Sequence, residues 1–191
     1  MTPPRDPRSA TVPGSPGRAL GELGDPAALD ALLAAATLAP GSGDLVWALT
    51  QFRDARVVGP LVPALHATNE TVRWLAASKL GDLGNASADG ANPLGAALEP
   101  LLTVLRTDSA PAVREQAARA LGFTEDQTAV QSLIDAVRRD ARPQVREAAA
   151  AALGQLRAYR AAEALGQAQL DRHAAVRRAA EAALRRLRPT A

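Results

Sequence analysis

The sequence predicts an all-α fold, a right-handed α-solenoid of about five stacked helix pairs. Two observations carry that prediction. The chain writes one phrase four times: NETVRWLAASKLG, PAVREQAARALG, PQVREAAAAALG and AAVRRAAEAALRR. The Val-Arg pairs stand at Val72-Arg73, Val113-Arg114, Val145-Arg146 and Val176-Arg177, in steps of 41, 32 and 31 residues. Self-similarity at periods of about 20–50 residues is the mark of stacked supersecondary units. Composition is the second observation: aromatics are 3% of 191 residues while Ala and Leu dominate. Such a chain builds its core from small, closely approaching helices rather than around one large centre.

Taking each Val as position zero, positions 0, +4, +7, +8 and +11 share one stripe of a helix. The second copy places Val113, Ala117, Ala120, Leu121 and Thr124 there; the third Val145, Ala149, Ala152, Leu153 and Leu156. The fourth gives Val176, Ala180, Ala183, Leu184 and Leu187, and the first Val72, Ala76, Lys79, Leu80 and Leu83. Lys79, the only lysine beside 21 arginines, is the one charged residue in the stripe. A second amphipathic segment follows each of the first three copies: Pro93 to Arg106, Asp126 to Arg139, and Tyr159 to Leu170. Asp108, Asp140 and Asp171 stand five residues before the next Val, where a carboxylate can accept backbone N–H bonds at a helix start. Pro111 and Pro143 suit a first helical turn. Gly81, Gly122 and Gly154 are read as helix exits.

Upstream, GSGDLVWALTQF puts Leu45, Ala48, Leu49 and Phe52 on the same stripe, followed by an outer helix from Ala55 to Ala67. Arg18 to Leu23 and Pro26 to Leu38 read as a degenerate first pair. The boundaries expected are therefore a disordered Pro-rich arm over 1–17, a solenoid over 18–188 and a short tail over 189–191. About ten extra residues, GNASADGANPL, account for the 41-residue step and read as a mobile surface loop.

The pattern D-x-x-P-x-V-R-x-x-A-x-x-A-L-G, met at Asp108 to Gly122 and Asp140 to Gly154, resembles the HEAT repeat, in particular the bacterial HEAT-like type found in phycobilisome lyases. Asp171 to Arg185 follows it without the Pro and Gly, and Ala67 to Gly81 without the Asp and Pro. The resemblance implies that the Val-Arg helix is the inner one, lining a concave groove. It further implies that Arg73, Arg114, Arg146 and Arg177 pair with turn aspartates and are structural.

Function is then to be sought where the copies differ. Positions +2, +3, +6 and +9 face away from the core stripe. There the chain carries Trp74 and Leu75, then Glu115, Gln116 and Arg119, then Glu147 and Arg178, with Trp47 at +6 of the upstream helix. Trp is enriched where proteins bind one another. Trp47, Trp74, Leu75, Glu115, Arg119, Glu147 and Arg178 are the expected contacts of a protein partner, in a non-catalytic interaction scaffold.

Other classes fare worse. Neither His66 nor His173 is followed by Glu, no metal-ligand spacing occurs, and no phosphate-binding Gly-rich loop or nucleophile elbow is present. No catalytic residue, cofactor or metal is expected. Cysteine is absent and no apolar run reaches membrane-spanning length, so a cytoplasmic protein without membrane contact is the expectation. The resemblance keeps a bilin lyase or isomerase open, although Tyr159 lies on an outer helix. From Arg157 to Ala191 eight Arg stand against Glu163, Asp171 and Glu181, which makes this basic end the one place suited to nucleic acid.

Overall fold

A computed structural model describes residues 16–86 and 92–188. Residues 1–15, most of the expected arm, lie outside the described residues, as do the tail 189–191 and residues 87–91 of the expected loop. Pro16 and Gly17, assigned above to the arm, open the first helix.

The described residues form α-helices joined by turns and single 3-10 turns, with no strand among them. The inner series is α1 (Pro16–Leu23), α3 (Gly43–Leu49), α5 (Glu70–Ala86), α7 (Pro111–Leu121), α9 (Pro143–Gln155) and α11 (Ala174–Leu187). The outer series is α2 (Pro26–Leu38), α4 (Val58–Ala64), α6 (Leu98–Thr107), α8 (Ala129–Arg139) and α10 (Ala162–Ala168). Each inner helix packs against the next inner helix, and from α3 onward against the outer helix that precedes it; α2 stacks on α4, α6 on α8 and α8 on α10. This is an α-solenoid of five outer–inner hairpins, α2–α3 to α10–α11, preceded by α1 as a further inner helix.

The core is the stripe read from the sequence. Val72, Val113, Val145 and Val176 are buried, with the Ala and Leu columns behind them. Thr124 is buried without cost in unmet polarity, because its hydroxyl donates to the Leu121 carbonyl at 2.8 Å. Leu45 on α3 and Leu184 on α11 are only half-buried, Leu184 because α11 is the last inner helix of the described stack.

The glycines do something other than end helices. Gly81 and Gly154 lie inside α5 and α9, and Gly122 sits at the end of α7 with a right-handed φ of −61°. What they share is position +9, which faces +7 of the next inner helix. A Cβ added at Gly154 would stand 2.8 Å from the Ala183 Cα; at Gly122, 3.0 Å from the Ala152 Cα; at Gly81, 3.6 Å from the Ala120 Cα. Gly21 meets Ala48 in the same way, at 2.9 Å. Repeats stack so closely because backbone meets backbone there.

Candidate functional site

At about 100° per residue, columns +1, +5 and +9 lie on the flank toward the next inner helix. Ala77, Ala118 and Ala150 at +5 are fully buried. Column +9 therefore belongs to the stack rather than to a binding face, and the expectation that it faces away is corrected on that ground. Column +10 takes its place: Asp82, Phe123 and Gln155 open onto a surface groove of about 510 Å³.

That groove crosses α5, α7, α9 and α11. It brings together Trp74, Arg119 and Glu147 from the expected contacts, joined by Ser78, Gln116 and Ala179 at the same columns. Arg119 donates to Glu115 at 2.6 Å, one turn apart on α7, which orients the guanidinium. Trp47 and Leu75 are not part of this groove. Both are half-buried and packed against the core, as Trp74 also is, and Leu75 lines a separate depression beside Gly43 and Val72. Arg178 is exposed on α11.

The repeated Arg and Asp form a ladder running from repeat to repeat. Arg73 donates from Nε to Asp108 at 2.6 Å, Arg114 to Asp140 at 2.8 Å, and Arg146 to Asp171 at 2.7 Å. A second nitrogen of each closes a bidentate pair at 3.0–3.1 Å. The third reaches back to carbonyls of its own repeat's turn: Ala67 for Arg73, Asp108 for Arg114 and Asp140 for Arg146. Each guanidinium thus ties its own turn to the turn one repeat on, a longer reach than the local pairing the resemblance implied. Arg177 keeps the backbone half, donating to the Asp171 carbonyl at 2.8 Å.

Each Asp also accepts the backbone N–H two residues on, from Ala110, Arg142 or His173. Those residues precede the helices, so the carboxylates shape the turn into the helix rather than cap its first turn. Burial pushes Asp108 and Asp140 upward, but the bonds from Arg73 and Arg114 and from the backbone outweigh it and hold both below the ordinary 3.8. At Asp171 the Arg146 bond dominates and lowers the carboxyl. Most donors of Arg73, Arg114 and Arg146 are thus engaged within the stack.

Among the described residues no group of His, Asp or Glu could hold a metal ion, and no helix is long and apolar enough to cross a membrane. In the basic C-terminal end Arg185 pairs with Glu181 at 2.6 Å, whereas Glu163 pairs with Arg138 of α8 at 3.4 Å.

Lys79 is the charged residue that the ladder leaves over. It is 7% exposed, and burial lowers its amine below the ordinary 10.5. It lines a second cavity, of about 560 Å³, between the segment that follows α3 and the C-terminal half of α5. Its place on an apolar stripe marks Lys79 in the sequence, but what lies opposite it depends on the neighbouring helix.

Geometry defines the class: an α-solenoid of helical hairpins with a groove on its inner-helix face. Comparison with known proteins supplies the family. The model described as HEAT repeats matches residues 98–185, and that of the PBS lyase HEAT-like repeat matches residues 17–37. The chain is a HEAT-repeat protein. Residues 17–37, read above as a degenerate first pair, carry a match of their own, whereas the copy around Val72 falls outside both.

A designed armadillo repeat protein in complex with the peptide (KR)4 is similar over 90% of this chain and 91% of its own, at 20% identity and a TM-score of 0.68. A second designed armadillo repeat protein covers 95% of this chain and 98% of its own, at 20% identity and a TM-score of 0.58. A chain from the CpcE–CpcF complex of phycocyanin lyase from Nostoc sp. PCC7120 covers 70% of this chain and 79% of its own, at 28% identity and a TM-score of 0.52. No curated protein matches the chain significantly.

Proposed function

We propose that this protein is a non-catalytic scaffold that holds a protein partner on its inner-helix groove. The observation that carries the reading is the groove across α5 to α11, lined by Trp74 on α5, Arg119 on α7 and Glu147 on α9. A large apolar ring among charges of both signs is the composition of a protein-contact hot spot. The repeat stack pre-organises this surface, so little ordering entropy is lost on binding. The lyase neighbour is itself one chain of a two-protein complex, which supports a protein as the partner class. Trp47, Leu75, Glu115 and Arg178 extend the proposed contact surface beyond the groove.

The test is selection of binding peptides from a displayed library, followed by affinity measurement against groove variants. Trp74→Ala, Arg119→Ala and Glu147→Ala should each weaken the selected peptides by about tenfold or more, the scale of one lost hot-spot contact. Arg160→Ala, on the outer side, should leave them unchanged. Equal affinity for wild type and all three groove variants overturns the reading.

The resemblance to phycobilisome lyases supports a second reading, handling of a bilin in the same groove. Mixing the protein with a linear tetrapyrrole should then change its visible absorbance, and an unchanged spectrum removes that reading.

A further inference from the structure

The cavity at Lys79 has a cause in the stacking rule. At the other four inner-helix junctions, +9 is Gly and the facing +7 is Ala: Gly21 on Ala48, Gly81 on Ala120, Gly122 on Ala152, Gly154 on Ala183. Between α3 and α5 the same two columns hold Thr50 and Lys79, and both line the cavity. The Arg-Asp ladder is missing here too, since its two places hold Ser42 and Ala67. The one junction that breaks both rules is the one that opens.

Its polar groups are unequally engaged. Thr50 donates its hydroxyl to the Trp47 carbonyl at 2.6 Å, and Gln51 donates to the same carbonyl and to Thr50. Arg53 and Lys79 also line the cavity, and among the described residues neither donates a hydrogen bond nor makes a contact ion pair. Asp82 is the carboxylate that acts on Lys79, through space, while the Arg53 cation opposes the ammonium. Two cations thus converge on one cavity with a single carboxylate near them, and Asn85 adds an amide. A cavity of about 560 Å³ is the size of a metabolite site rather than of a packing fault.

We infer that the cavity between α3 and α5 binds a small molecule bearing an oxyanion, a phosphate or a carboxylate, with Arg53 and Lys79 as its cationic contacts. An oxyanion would relieve the repulsion between the two cations and give each a charge-assisted hydrogen bond. The site is separate from the peptide groove, which it meets only at Asp82 and Asn85, and it stands or falls independently of that reading.

A single lysine makes the test selective. The intact protein is treated with pyridoxal 5′-phosphate or with pyridoxal, trapped with borohydride and mapped by peptide mass, with the chain's α-amine as internal reference. Lys79 should react with the phosphate-bearing aldehyde roughly tenfold faster than with pyridoxal, the scale of a charge-assisted contact. Inorganic phosphate and succinate, added in parallel, should each be tried as protectant; protection by one and not the other tells phosphate from carboxylate. Arg53→Gln, an exposed position, should abolish the preference while leaving the thermal midpoint unchanged. Equal rates for the two aldehydes in the wild type, or a preference that survives Arg53→Gln, overturns the inference.

Discussion

The junctions α7–α9 and α3–α5 are built from the same repeat, yet one is closed and the other open. At α7–α9, Gly122 presses on Ala152, and Arg114 clamps Asp140 across the turn. At α3–α5, Thr50 and Lys79 replace the small pair, Ser42 and Ala67 replace the ion pair, and a cavity fills the difference. A solenoid repeat therefore carries two separable devices, a backbone-to-backbone contact and a charged staple. Where both are written neighbouring inner helices close on each other; where both are missing a cavity is left.

The staple should give the largest effect. Asp140→Asn leaves the Arg114 guanidinium half-buried without its carboxylate, and unfolding in denaturant should show a loss of about 3–5 kcal/mol. The acid limb should change with it. Asp108, Asp140 and Asp171 are held below 3.8 in the folded protein. Their contribution is complete above the ordinary carboxylate value and lost as pH falls through the lowered one. Wild type should lose stability steeply below about pH 4, and Asp140→Asn more shallowly.

The close approach comes next. Gly154→Ala drives a Cβ to 2.8 Å from the Ala183 backbone, so overpacking should cost about 1–3 kcal/mol by the same measurement. A smaller loss would mean that α11 slides away easily. The open junction should respond in the opposite direction. Lys79→Met removes a charge held in a desolvated place and should raise stability at neutral pH by about 1 kcal/mol. The folded Lys79 binds its proton more weakly than the unfolded one, so stability rises with pH between its lowered value and 10.5. That alkaline slope should vanish in Lys79→Met. Gly81→Ala should move least: the space at 3.6 Å accepts a methyl, and Ala in mid-helix gains about 0.5–1 kcal/mol over Gly. A loss there as large as at Gly154 would show that every junction is equally tight.

Helix positions were legible because the Val, Ala and Leu columns repeat with the helical period, and burial falls on them as written. Trp74, Arg119 and Glu147 were legible as variable residues on one angular sector, and the structure gathers those three in a groove. Trp47 and Leu75 were read on the same face, but neither lines that groove. Their angle on one helix says nothing of where the neighbouring helix sits.

By itself, the sequence determined the repeat, its period and the Val, Ala and Leu columns of the core, because those follow from one helix at a time. What only the tertiary structure decided lies between helices: that Arg73, Arg114 and Arg146 reach the next repeat's Asp, that Gly81, Gly122 and Gly154 are contact points between inner helices, and that Lys79 faces a cavity. Those facts depend on the distance between neighbouring backbones, set by pairs of side chains some 25 to 40 residues apart, and no periodicity within one copy contains it.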